Sequence, residues 1–112
     1  MYKFIIVKHF KKQLKPYAKK FQGLLLDVKK ELIRFDEQHS VSLGNNIFKL
    51  RLSITKLKKG KNKSFRLIIY VIKKYKLLSP IAIYQKNKQD NIKLGKILHH
   101  LNAVKEEIKK YW

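Results

Sequence analysis

Residues 65–72 read Phe-Arg-Leu-Ile-Ile-Tyr-Val-Ile, a run in which Arg66 is the one charged residue. β-Branched and aromatic side chains favour extended backbone, because they pack well on a pleated surface. A run that is apolar on both faces is typical of a central strand in a sheet. The chain is therefore predicted to build a sheet with this run at its centre.

A strand is also predicted before the central run. From Ile47 onward, apolar residues alternate with polar ones, which is typical of a strand with one buried face. Lys49 and Arg51 share the other face and lie roughly 7 Å apart, two strand rises along the chain. Residues 38–46 are predicted to form a polar loop, which ends in the turn-forming sequence Gly44-Asn45-Asn46.

Two more strands complete the predicted sheet. Residues 2–7 are β-branched and aromatic, and residues 77–84 form the last strand. Pro80 lies inside this last strand and lacks a backbone donor, so it predicts an edge position or a bulge. Three consecutive strands joined by short connections are expected to form an antiparallel meander.

Three helices are predicted from apolar residues that recur every three or four positions. The first contains Pro16, which is expected to kink or split it. The third is expected to be capped by Asp90 or Asn91. The predicted buried stripes are Phe10, Leu14, Tyr17 and Phe21; Leu25, Val28, Leu32 and Phe35; and Leu94, Ile97, Leu101, Val104 and Ile108.

These elements follow the order β-α-α-β-β-β-α, and 112 residues are enough for one domain, covering residues 1–112. The predicted fold class is α+β, with an antiparallel sheet of about four strands and the helices packed on one face. The other face is expected to be largely open. It would display Lys49, Arg51 and Arg66.

The charge of the chain points to its class of partner. Lys and Arg number 28 against 7 Asp and Glu, which gives a net charge of +21. Between Glu37 and Asp90, 52 residues pass without an acidic side chain. Such a density of like charge destabilises a compact fold unless a phosphate-rich ligand or an acidic protein relieves it. A polyanionic partner is therefore expected.

Composition also excludes several classes. The chain has no cysteine, which rules out a disulfide scaffold and a thiolate metal site. His99 and His100 are adjacent, so on a helix they diverge by about 100° and are not expected to chelate one ion together. The sequence has neither the pattern of a secretory signal nor an apolar run long enough for a membrane span. A soluble, cytoplasmic protein without metal or cofactor is expected.

Several stretches of the chain resemble a known family. Ser42-Leu43-Gly44-Asn45 leads into Ile47-Phe48-Lys49-Leu50-Arg51-Leu52, and Lys59-Gly60-Lys61 precedes Phe65-Arg66-Leu67-Ile68-Ile69-Tyr70. Ile83-Tyr84-Gln85-Lys86 closes the last predicted strand. In this order, and over most of the chain, these stretches resemble RelE/HigB-type toxins of bacterial type II toxin-antitoxin systems, HigB-like members most of all.

The resemblance implies a RelE-like toxin domain that acts as a cytoplasmic endoribonuclease. Such a toxin cuts mRNA in the ribosomal A site, inhibits translation and is silenced by a cognate antitoxin. One departure concerns the lysine loop, where Asn62-Lys63-Ser64-Phe65 stands in place of a glycine-rich run. The family's functional residues carry over onto Arg51 and onto the catalytic residues that the resemblance implies, which are Lys59, Lys61, Arg66, Tyr84 and Lys86.

Elementary chemistry is consistent with these residue types. Metal-free RNA cleavage needs a base for the 2′-hydroxyl proton, cations for the phosphorane charge and an acid for the leaving oxygen. A lysine crowded by other cations loses its proton readily, so Lys59 or Lys61 could act as base. Arg66 is shaped to grip phosphate, Tyr84 to stack on a splayed base, and Lys86 or Arg51 to neutralise the leaving oxygen. The expected RNA-binding residues are Lys49, Arg51, Lys56, Lys58 and Lys63.

Simpler interpretations stand beside these roles. The loop lysines could be a solvated charge run, and Tyr84 an aromatic at the edge of the core. Arg66 could pair with Glu106 or Glu107 of the last helix. At the level of function, the alternatives are a gyrase-inhibiting toxin of the ParE type, which shares the fold, and a basic nucleic-acid-binding domain without catalysis.

Overall fold

In the computed structural model, residues 2–52, 54, 65–86 and 92–111 are described. Two single-turn 3-10 helices, Glu37–His39 and Lys73–Tyr75, lie between the longer elements. The strands are β1 (Lys3–Phe4), β2 (Val41–Gly44), β3 (Ile47–Leu52), β4 (Phe65–Ile72) and β5 (Leu77–Gln85), and the helices are α1 (Lys8–Lys20), α2 (Leu24–Ile33) and α3 (Leu94–Lys109).

The five strands form one sheet in the order β1-β5-β4-β3-β2, so β4 lies at its centre as predicted. Neighbours from β2 to β5 are antiparallel, and β1 is parallel to β5. The α+β class is therefore confirmed. The fifth strand arises because β2 occupies part of the region that was expected to be a loop.

The turn between β2 and β3 explains why a strand forms there. Asn45 and Asn46 have φ values of 53° and 61°, which is the backbone that a two-residue hairpin turn requires at both central positions. The predicted turn is thus confirmed, and it folds Val41–Gly44 back onto β3. All four residues of β2 are exposed, and the alternation of Val41 and Leu43 with Ser42 and Gly44 is too short to set this strand apart from a loop.

Helices cover both faces of the sheet, which corrects the expectation that all three lie on one face. Phe48, Leu50, Leu67 and Ile69 pack with α1 and α2, whereas Ile47, Ile68 and Ala82 pack with α3. Because consecutive strand residues point to opposite faces, these are two separate layers. The reason is β4 itself, whose apolar side chains face both ways and need a helix on each side.

The helix predictions hold with local corrections. α1 runs without interruption through Pro16, so the helix is not split. In α2 the buried face contains Leu24 rather than Leu25, which is exposed. α3 begins at Leu94 with Lys93 as its N-cap residue, whereas the predicted caps, Asp90 and Asn91, lie outside the described residues. Leu94 is exposed, while the other four residues of its stripe are buried.

Pro80 lies where the sequence predicts. β1 pairs with β5 at Leu77 and Leu78, and the register between β4 and β5 shifts immediately after Pro80. The missing N–H of Pro80 therefore coincides with a bulge on a strand whose outer edge is largely unpaired. Beyond this point the side chain of Gln13, from α1, donates a hydrogen bond to the Ile81 carbonyl at 2.8 Å.

Candidate functional site

Two arginines and a tyrosine lie side by side across the three central strands. Arg51 of β3 is paired with Arg66 of β4, and Arg66 is paired with Tyr84 of β5. Directly paired residues share a face, and neighbouring strands are about 4.8 Å apart. The three side chains therefore form a short row, called here the arginine row. Lys49 lies on the same face, two residues before Arg51.

Arg66 is 9% exposed, which is unusual for an arginine. Its guanidinium donates one hydrogen bond, of 3.3 Å, to the Phe65 carbonyl oxygen. Within the part of the chain that the structure describes, it forms no ion pair. The alternative of a pair with α3 is not seen, because Glu106 pairs with Lys109 and Glu107 binds backbone N–H groups of α1.

Tyr84 is 5% exposed and packs in the apolar cluster beneath α3. Its ring faces are covered, so the expected stacking on an RNA base is not available in this conformation. The buried hydroxyl has no hydrogen-bond partner among the described residues. Burial raises the pKa of this phenol. The charge of Arg66 and the nearby backbone N–H of Ile92 oppose this rise, because both favour the ionised form, although the N–H does not meet hydrogen-bond geometry.

The remaining predicted residues divide into two groups. Lys86 is exposed and follows β5 directly, two residues after Tyr84. The lysines of the connection between β3 and β4 lie outside the described residues, although the strands that they join end at Leu52 and begin at Phe65, beside the arginine row. That second group comprises Lys56, Lys58, Lys59, Lys61 and Lys63.

A histidine and an acid that the sequence did not suggest lie next to this row. His39 donates from Nδ1 to Asp36 at 2.7 Å, and the pair lines a cleft of about 320 Å³ together with Lys49 and Arg51. The backbone N–H of Gln38, followed by His39, lowers the pKa of Asp36. We call this the edge cleft, because β2 begins at Val41, opposite Lys49, and leaves the edge beside Arg51 open.

The edge cleft brings an acid close to the basic residues of β3. Its signal in the sequence is the Asp-x-x-His spacing of residues 36–39, which brings the two side chains together on a single 3-10 turn. Spacing alone does not place that turn beside Arg51. That proximity depends on β2, which the sequence did not reveal.

A cluster of three histidines joins α1 to α3. His9 Nε2 lies 2.7 Å from His100 Nδ1, and the ring of His99 lies 6.1 Å from that of His9. Burial lowers the pKa of both His9 and His100. Among the described residues, no group of three or more His, Asp or Glu side chains has the arrangement of a metal site. No described helix is both long and apolar enough to span a membrane.

The strand order, the antiparallel centre of the sheet and the flanking helices give this chain a RelE-like fold. Among solved structures, the chain is similar to a mutant of the Escherichia coli toxin RelE in the free state, in which two arginines are replaced by alanine. The likeness has a TM-score of 0.50 and 17% identity, and it covers 80% of this chain and 87% of that chain. No protein-family model matches the sequence, and no curated protein does so either.

Proposed function

We propose that this chain is the toxin of a type II toxin-antitoxin module, and that it is an endoribonuclease that cuts mRNA on the ribosome and so inhibits translation. The observation that carries the proposal is the arginine row. It brings two guanidinium groups onto adjacent strands, on a RelE-like fold, with Arg66 free of any carboxylate in the described structure. Paired guanidinium groups are suited to phosphate.

The proposed reaction is an attack of the ribose 2′-oxygen on the adjacent phosphorus. A bond forms between the 2′-oxygen and phosphorus while the bond to the 5′-oxygen breaks, which leaves a cyclic phosphate and a free 5′-hydroxyl. Arg66 and Arg51 stabilise the negative charge that develops on the phosphorane oxygens. No cofactor or metal is needed for this scheme, because side-chain cations supply the charge.

Proton transfer completes the scheme. Lys59 and Lys61 are the candidates for the base that accepts the 2′-hydroxyl proton. His39 is a third candidate, since Asp36 binds its Nδ1–H and leaves Nε2 able to accept a proton. Lys86, together with the hydroxyl of Tyr84 two residues earlier, is proposed to protonate or neutralise the leaving 5′-oxygen.

The same proposal specifies the partners and the compartment. The substrate is mRNA on the ribosome, bound through Lys49, Arg51 and the lysines at positions 56, 58 and 63. A cognate antitoxin is proposed to silence the toxin, and its binding to a chain of net charge +21 is favoured by acidic residues. Action on ribosomes places the protein in the cytoplasm.

Primer extension on translating ribosomes tests this function. Wild-type protein is expected to create new mRNA 5′ ends inside the reading frame, and Arg66→Ala to reduce cleavage by a factor of about 10² to 10³, typical for loss of one donor to a developing oxyanion. Lys110→Ala is the matched control. It also removes one positive charge, but from the far end of α3, and is expected to cleave like wild type.

Because Arg66 is buried, its replacement also affects the stability of the fold, so a second variant is useful. Tyr84→Phe removes only a hydroxyl that lacks a partner in the described structure, so the fold is expected to survive while cleavage falls at least 10-fold. Unchanged cleavage by folded Arg66→Ala protein would contradict the proposed site. Cleaved DNA with gyrase, and no new mRNA ends, would support a ParE-like toxin instead, and RNA binding without cutting would support a non-catalytic domain.

A further inference from the structure

A cavity of about 450 Å³ lies between α1 and the second half of β5, apart from the arginine row. Its lining combines two aromatic rings, two amides and one cation. Consecutive residues of a strand project to opposite faces, so Tyr84 belongs to the row while its neighbour Gln85 lines the cavity. The residues used below are Gln13, Tyr17, Lys20, Phe21 and Gln85.

The backbone of β5 provides the inner wall of this cavity. β1 covers the outer edge of β5 only at its start, and Gln13 covers it at Ile81. In an antiparallel strand, the N–H and C=O groups of every second residue point to the same side. Ile83 and Gln85 lie beyond the bulge and share one such side, and both residues line the cavity.

The two amides supply further hydrogen-bonding groups. Gln85 is 4% exposed, yet its side chain makes no hydrogen bond to any described residue. Because this amide lines the cavity, a ligand that fills the cavity could pair with it away from bulk water. Gln13 donates to the carbonyl oxygens of Ile81 and His9, and its own side-chain oxygen remains able to accept.

The aromatic side of the cavity packs against the buried ring of Phe65. Tyr17, in the last turn of α1, and Phe21, immediately after this helix, both contact Phe65 edge to face, with ring centroids 5.0 and 5.3 Å away. Lys20, between them in sequence, adds a positive charge. A flat ligand with hydrogen-bonding edges and an attached anion matches this combination of groups, and a nucleotide has all three features.

We propose that this β5-edge cavity binds a nucleobase. The base contacts the aromatic wall, its polar edge pairs with the Gln85 amide and the outer edge of β5, and its phosphate lies near Lys20. The nucleotide can be free or part of an RNA chain that passes around the end of β5. The RNA form rests on the proposed function, since the base would then be a neighbour of the nucleotide bound at the arginine row.

Titrations with AMP, GMP, CMP and UMP, followed by NMR of the folded full chain, test the cavity. At least one mononucleotide is expected to saturate and to shift the side-chain amide signals of Gln85 and Gln13. Ribose 5-phosphate, which lacks a base, is expected to bind at least 10-fold more weakly. Gln85→Leu keeps the net charge and is expected to weaken nucleotide binding at least 10-fold, whereas Gln38→Leu, an exposed amide elsewhere, is expected to change nothing.

A contact measured in the wild-type protein tests the cavity independently of whether the variant folds. Nuclear Overhauser effects between base protons and the Tyr17 ring are expected in the wild-type complex. Equal affinity for ribose 5-phosphate and the mononucleotides would overturn the proposal, because it would indicate charge alone. Full affinity in folded Gln85→Leu protein, or base contacts elsewhere on the chain, would overturn it as well.

Cleavage assays separate this proposal from the function on which its RNA form rests. Gln85→Leu is expected to cut mRNA on ribosomes but to lose wild-type preference for the bases flanking the cut. Specific nucleotide binding without any cleavage would contradict the endoribonuclease and support the cavity as a site for free nucleotides. Cleavage with unchanged preference, together with no mononucleotide binding, would contradict the cavity alone.

Discussion

At the scale of single residues, the burial of Arg66 is the clearest departure from an ordinary sheet surface. A guanidinium at 9% exposure loses most of its hydration and has no described carboxylate in return. Such a group is costly to bury unless something pairs with it. Tyr84, next to it, has a buried hydroxyl without a described partner. Both groups would be satisfied by one phosphate, which is why their pairing in register supports an anion site.

The contact between His9 and His100 leads to a prediction about pH. The pKa of each ring is lowered chiefly by burial, then for His9 by His99 and Lys12 against an opposing effect of Glu107, and for His100 by His9, His99 and Lys96. An unfolded histidine takes up its proton near pH 6.5, above the folded value. The unfolded chain therefore binds more protons, so stability is complete above about pH 6.5 and decreases as pH falls through the folded values.

Thermal unfolding between pH 7.5 and 5 measures this effect, in a range where carboxylates change little. The midpoint of the wild-type protein is expected to fall with pH, and His100→Asn to reduce the slope, since one of the two rings can no longer titrate. The variant is also expected to be less stable at pH 7.5, because the 2.7 Å contact is lost. Parallel slopes for the two proteins would contradict this account.

Residue patterns predicted part of the site and missed the rest for physical reasons. Alternation in β3 and the charge at the head of β4 were enough to expect Arg51 and Arg66 on one face, and the register confirms this. The burial of Tyr84 was only an alternative interpretation of the sequence, because this burial depends on the packing of α3. His39 was missed, since its place beside Arg51 follows from a short exposed strand that was predicted to be a loop.

At the scale of elements, Glu107 links α3 to the first turn of α1. Its carboxylate accepts hydrogen bonds from the Lys8 and His9 backbone N–H groups, at 3.1 and 2.8 Å, in the first turn of α1. α1 has no side-chain cap of its own. A residue of α3, 98 or 99 positions away along the chain, therefore caps α1 and complements the positive end of its dipole.

Removal of this cap is expected to destabilise the protein. Glu107→Ala should lower the free energy of unfolding by about 1 to 2 kcal/mol, the usual cost of losing a helix cap, measured by urea denaturation. Glu106→Ala is the control at the next position. Glu106 is exposed and pairs with Lys109 at 3.5 Å, so its loss should cost less than about 0.5 kcal/mol. Equal effects at both positions would mean that the cap carries no specific stabilisation.

The placement of the elements shows where sequence patterns succeed and where they stop. The central position of β4 followed from its continuous apolar run, and Pro80 marked a bulge on a largely unpaired edge. The same apolar run could have shown that both faces need cover, yet periodicity alone does not say which helix packs on which face. α3 covers the second face because Ile97, Leu101 and Val104 meet Ile68 and Ala82 there.

At the scale of the whole molecule, the net charge of +21 attracts any polyanion. Attraction of this kind depends on the total charge and not on the arrangement of the residues. Each phosphate that a cation contacts releases counterions, so the slope of log affinity against log salt concentration grows with the number of contacts. A comparison of the salt dependence of variants that each lose one cation therefore tests whether Arg66 makes a defined phosphate contact.

For single-stranded RNA, each phosphate contact contributes about −0.7 to the slope of log K against log salt concentration. Arg66→Ala is expected to make that slope less steep by about 0.7, whereas Lys110→Ala, with the same net charge, leaves it unchanged. The measurement uses 2′-deoxy-substituted RNA between 50 and 200 mM salt, so that no strand is cut. If both variants shift the slope equally, RNA binding reflects the diffuse charge of the molecule. Loss of a defined phosphate contact at Arg66 would not be matched by loss of Lys110 at the end of α3.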